Sequence, residues 1–173
     1  MKALLGCSLV GLISSSSLFA AHSDWPQWRG PSKDSSIEVG KVINWGSLSN
    51  AKVAWETKVG IGYSSVSVVD GRAYTMGHDG EGGNETVFCL NAKTGSEIWK
   101  FTYPAKLLPA MHVGGPNATP TVSGGAVYTL SKDGQAFCLD AATGETLWSA
   151  NIEGLLGIKT PTWGYAGSPL VFR

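Results

Sequence analysis

Few side chains in this 173-residue chain have types and spacing suited to chemistry, and those few fall in irregular stretches. His78 and Asp79 are adjacent, and His112 follows in a later stretch rich in glycine and proline. An imidazole beside a carboxylate can ligate a divalent metal or act as an acid–base pair. The same two residues in a loop can instead be solvated turn chemistry. Asp79 has a counterpart, Asp133, in a second copy of its segment, which favours the turn role. Trp163 offers a flat apolar ring in another long loop. Lys106, Lys159 and Arg29 could meet an anion, but each stands isolated. The candidate ligand-binding positions are therefore His78, Asp79, His112 and Trp163. No catalytic residue and no metal-ligand set can be assigned. The chain contains no phosphate-binding loop, no nucleophile elbow and no paired-cysteine zinc spacing.

Composition narrows the partners. Lysine plus arginine number 13, as do aspartate plus glutamate, so the net charge is zero. This charge balance argues against nucleic acid or an anionic membrane surface as a partner. The N-terminus reads as a signal peptide over residues 1–21. Lys2 supplies the positive end, Ala3 to Phe19 an apolar run, and Ala20-Ala21 the small residues near cleavage. Cleavage would leave no transmembrane anchor and would place the protein in the bacterial periplasm or outside the cell. It would also remove Cys7. Cys89 and Cys138 remain, at the same place in successive repeats, where a disulfide's reach is exceeded. They read as two small buried apolar residues.

The repeat is what positions everything else. CLNAKTGSEIW, Cys89 to Trp99, returns as CLDAATGETLW, Cys138 to Trp148. The spacing is 49 here (138 − 89), but 54 at Tyr74 and Tyr128 (128 − 74), so the first copy carries an insertion near Glu81–Glu85. Each copy divides into four short strands. In the second copy they fall at about 119–123, 126–130, 135–139 and 145–149. Asp70-Gly71 and Gly124-Gly125 are hairpin pairs, and Thr94-Gly95 and Thr143-Gly144 are further turns. Four strands of this length form a meander that is marginal alone, so copies must stack. A four-stranded unit at this period predicts an all-β fold, a β-propeller of antiparallel blades. Blades are expected at about 63–103 and 116–150, with a third beginning near 165. Residues 22–50 read as an N-terminal extension, in which Trp25 and Trp28 pin the segment to the propeller's side. Trp55, Trp99 and Trp148 close successive outer strands, and each ring can cover a neighbouring Thr-Gly turn.

These features resemble the quinoprotein-type (PQQ-like) β-propeller repeat. The outer-strand pattern runs small residue, any, Asp or Asn, two any, Thr-Gly, three any, Trp. Cys89, Asn91 and Trp99 match it, as do Cys138, Asp140 and Trp148. Asp24-Trp25-Pro26-Gln27-Trp28-Arg29-Gly30-Pro31 is similar to the lead-in of exported bacterial PQQ-like repeat proteins. The resemblance implies a ring of seven or eight blades, on the order of 300 to 400 residues at this period. Residues 51–173 then represent an incomplete propeller, an N-terminal fragment whose partners are the remaining blades. It also implies two functions. One is an exported binding or scaffolding module for a protein or carbohydrate ligand, without a cofactor. The other is a dehydrogenase oxidising alcohols or sugars with pyrroloquinoline quinone and calcium. The adjacent cysteine pair of many alcohol-oxidising members is absent, as is a matched Glu, Asn and Asp set, so catalytic residues would lie in other blades. Within this chain the long loops gather on one face, while the other carries tight Asp-Gly and Thr-Gly turns.

Overall fold

A computed structural model describes residues 24–36, 51–109 and 112–172. The expected signal peptide and Cys7 lie outside the described residues. Two four-stranded antiparallel sheets dominate, each a simple meander in chain order. The first contains β1 (Ser67–Val69), β2 (Arg72–His78), β3 (Asn84–Asn91) and β4 (Glu97–Pro104). The second contains β5 (Thr121–Ser123), β6 (Ala126–Leu130), β7 (Gln135–Asp140) and β8 (Thr146–Asn151). A short helix, α1 (Ile152–Leu156), follows β8 in a stretch where the sequence predicts only loop. Asn151 caps it by accepting from Gly154 N–H.

Local chemistry explains the meanders. Asp70 and Gly71 both have positive φ, 50° and 71°, as do Gly124 and Gly125, 60° and 78°. Two consecutive positive φ values match the right-handed twist of a two-residue hairpin. Asn91 and Asp140 organise the next turn in the same way. Each side-chain oxygen accepts the backbone N–H groups two and three residues on. Both sheets also carry the same register shift, at Cys89/Leu90 and at Cys138/Leu139, just opposite the tryptophan. The repeat therefore extends to its irregularities.

The core lies between the two sheets. Tyr74, Met76, Val87, Cys89, Trp99 and Tyr103 of the first meet Val127, Phe137 and Leu139 of the second. Tyr103 and Phe137 rings sit 4.4 Å apart, centroid to centroid, across this junction. The thiols of Cys89 and Cys138 are free and buried. Two indoles, Trp55 and Trp99, reach to the following blade. Trp55 Nε1 donates to Ala92 O at 3.0 Å, and Trp99 Nε1 to Ala141 O at 3.1 Å. A Cβ on Gly95 would stand 2.4 Å from the Trp55 ring, and one on Gly144 2.7 Å from the Trp99 ring. Those glycines supply both the positive φ and the space for an indole to lie flat on the turn.

The innermost strands repeat the linkage. Ser65 N–H donates to Thr119 Oγ1, and Thr119 N–H to Ser168 Oγ. Ser67 Oγ donates to Pro120 O, and Thr121 Oγ1 to Pro169 O. Residues 168–169 thus stand toward the second sheet as Thr119-Pro120 stand toward the first. The described residues form an unclosed arc of incomplete propeller blades, with β1 and β5 innermost and β4 and β8 outermost.

The N-terminal segment departs from its expected place. It does not lie on the side of the propeller. Trp25 pairs with Val68 in β1, and Pro26 O accepts from Val122 N–H in β5. Free backbone edges exist on the inside of the arc, whereas β4, the outer strand of the first sheet, is an edge the segment leaves alone.

Candidate functional site

Alternating strand direction puts the β2–β3 loop, the β6–β7 loop and both inter-blade connections on one face. Contacts bear this out. Gln135 Nε2 donates to Pro104 O, Lys106 N–H to Asp133, and Lys132 Nζ to Leu108 O. The four candidate positions all belong to this face, but the structure does not gather them into one cluster.

His78 is buried at the end of β2. Gly80 N–H donates to its Nδ1 at 2.8 Å, and its Nε2 lies 3.0 Å from Ala105 O. A ring accepting at Nδ1 must donate at Nε2. The nearby Asp79 carboxylate, 3.7 Å from Nδ1, therefore shares no proton with it. Asp79 instead accepts from Asn84 N–H and Asn84 Nδ2, and those bonds hold its carboxyl below the usual range. His112 accepts at Nδ1 from Gly114 N–H and sets its ring edge-on to Tyr63 at 4.7 Å. Both imidazoles thus shape loops. Trp163 is exposed, as are its segment neighbours Leu155, Leu156 and Ile158. Among the described residues no three His, Cys, Asp or Glu side chains are placed to hold a metal ion.

A buried polar cluster that the sequence reading passes over lies beneath these loops. Glu85 in β3 has no exposed surface. Tyr103 Oη donates to its Oε2 at 2.7 Å, while Oε1 is buried without a partner. Burial pushes the carboxyl up to about 7, against the Tyr103 bond, and Asp133 adds to the rise while Lys132 opposes it. Lys132 is itself fully covered, and burial lowers its ammonium pKa. The same burial, with Glu85 alongside, raises the Tyr103 phenol. One signal was available in the sequence: Glu85, Val87 and Cys89 alternate along β3 with buried faces in phase. A carboxylate on the core side of a strand is unusual.

The opposite face also holds more than tight turns. A cleft of ≈ 620 Å³ opens there between the blades, beside Asp24, Asp70 and Arg72. Its polar groups are engaged in joining neighbours. Arg72 Nη1 donates to Ala141 O and Ala142 O on the second blade, and Asp24 Oδ1 accepts from Asp70 N–H. A short hairpin on each side leaves a gap that sequence spacing alone does not reveal.

Comparison with known proteins agrees with this geometry. The family model described as outer membrane protein assembly factor BamB matches residues 39–163. Quinohemoprotein alcohol dehydrogenase from Comamonas testosteroni is similar in structure, with a TM-score of 0.65 and 24% identity, over 87% of this chain and 22% of that one. A europium-containing methanol dehydrogenase gives a TM-score of 0.60 and 22% identity, over 76% of this chain and 23% of that one. These likenesses concern the fold. The beta-alanine-activating enzyme of Danio rerio is 32% identical over 109 residues, 58% of this chain and 8% of that protein. The chain thus spans under a quarter of the length of each of these three. With its paired four-stranded blades, its turn-covering indoles and a family match over most of its length, the chain belongs to the PQQ-like β-propeller repeat family.

Proposed function

We propose that the protein is an exported propeller that binds or scaffolds another macromolecule through its irregular-loop face. The observation that carries this reading is the segment after β8. Leu155, Leu156, Ile158 and Trp163 are all exposed there, with Leu155 at 72%. Exposed apolar groups clustered on loops of a rigid frame suit recognition. The two imidazoles and the Asp79 carboxylate on the same face are engaged by groups of the loops themselves, which suits a frame more than a reaction centre. The matched family's description, an assembly factor of the outer membrane, points the same way. In this reading the indoles Trp55 and Trp99 are docking groups that clamp each blade to the next.

The second reading is a dehydrogenase using pyrroloquinoline quinone and calcium, favoured by the structural likeness to alcohol and methanol dehydrogenases. The described residues do not fit that cofactor pair. They gather no carboxylate or histidine set for calcium, and their thiols stand singly in the core. The chemistry would have to come from elsewhere in a longer protein. Titration of the full-length protein with pyrroloquinoline quinone and Ca²⁺, followed by dye-reduction assays with alcohols and aldoses, separates the two. We expect neither saturable binding nor turnover. Both together would establish the dehydrogenase instead. Cell fractionation tests export: recovery in the periplasm or medium is expected, and retention in the cytoplasm would refute it.

A further inference from the structure

The inner edges of both sheets carry an occupant that neither blade supplies. β1 offers one side to β2, and β5 one side to β6. Their other sides face the axis of the arc and would otherwise present unpaired backbone groups. Trp25 N–H donates to Val68 O at 2.7 Å, and Val68 N–H returns to Trp25 O at 2.8 Å. One residue later, Pro26 O accepts from Val122 N–H at 2.8 Å. Val68 and Val122 are equivalent positions, 54 apart (122 − 68), so the segment steps from one blade's edge to the next. Proline suits the second step, because only its carbonyl is used and its missing N–H leaves nothing unpaired.

The segment is anchored by its own turn. Gly30 N–H donates to Gln27 O, and Gln27 Nε2 to Gly30 O. Gly30 is buried with φ +77°, and a Cβ there would stand 2.7 Å from the Trp25 ring. The turn is thus folded onto the indole. Beyond it, Gln27, Trp28 and Arg29 border a hollow of ≈ 210 Å³ with Ser168, Pro169 and Leu170. Those residues continue the inter-blade ladder past Thr119. Val68 lies just before the Asp70-Gly71 turn, and Val122 just before Gly124-Gly125. The crossing is therefore at the tight-turn end of the axis, opposite the irregular loops.

We propose that residues 24–30 form a strap that pairs the axis-side edges of successive blades near their tight-turn ends and denies those edges to any other extended peptide. An extended peptide cannot add to those edges while the strap is in place.

Amide hydrogen exchange in the full-length protein tests the pairing. Relaxation by a soluble gadolinium chelate tests whether the strap covers these edges. In the unmodified protein, Val68 and Val122 amides should be protected and shielded from the chelate, as Val87 and Val127 are inside their sheets. Gly30→Val drives a side chain into the Trp25 ring without touching either blade, and Trp25→Pro removes the N–H donor. Each should speed exchange at Val68 and Val122 by about ten-fold or more and open both to the chelate, with Val87 and Val127 unchanged. Unchanged protection in both variants would overturn the strap. Rapid exchange or chelate relaxation at Val68 and Val122 in the unmodified protein would also overturn it, whether or not the variants fold.

Discussion

Glu85 is a fully buried carboxyl. Its raised carboxyl pKa has a direct consequence for stability. A carboxyl at 4.5 when unfolded and about 7 when folded binds its proton more tightly in the folded state. The stabilisation is complete below pH 4.5 and is lost as pH rises through 7, by up to about 3 kcal/mol. Urea unfolding at pH 5 and pH 8 should show the loss. Glu85→Gln should remove most of it, and parallel pH profiles for parent and variant would refute the assignment. The groups facing this carboxyl are Tyr103, Asp133 and Lys132. By contrast, the conspicuous pair His78-Asp79 is misleading in the sequence. Adjacency along the chain said nothing about which atoms face each other, and the Gly80 amide takes the imidazole lone pair first.

At the scale of the element, the indole on its turn joins the sheets. Trp99 is 8% exposed and bonded to Ala141 O, whereas Trp148, its counterpart on β8, is 48% exposed. Trp99→Ala should therefore lower unfolding stability by about 3–5 kcal/mol, and Trp148→Ala by less than about 1 kcal/mol. Equal losses would mean that the following blade contributes nothing to the indole's effect. The glycine beneath separates conformation from contact. Gly144→Ala meets both a positive φ and the Trp99 ring, while Gly125→Ala meets a similar φ with nothing within 4 Å. We expect about 1–2 kcal/mol at Gly125 and clearly more at Gly144, measured by denaturant unfolding. The strands and turns were legible because period-two patterning and Asp-Gly or Gly-Gly pairs act over a few residues. α1 was not, because five residues between strands carry too little pattern for a helix.

At the scale of the molecule, one blade face is left open among the described residues. Phe137 closes the junction with the first blade, but Trp148, Leu170 and Phe172 border an apolar groove on the far side of the second. The 173-residue chain alone should self-associate and bind a hydrophobic dye, seen by light scattering and fluorescence. Trp148→Gln combined with Leu170→Gln should weaken both, and a monodisperse, dye-silent monomer would contradict this. The sequence by itself determined the blade: its four strands, its hairpins and the tryptophan at its outer margin. Those follow from residue types a few positions apart, and the repeat states them twice. Tertiary structure decided which of these groups meet across blades. It set Glu85 beside Lys132, set the Trp99 indole against Ala141, and carried Trp25 to the inner edge of β1 instead of the propeller's flank. Such meetings depend on how two sheets are turned toward each other and on which backbone edge is left unpaired, and neither is written in local spacing.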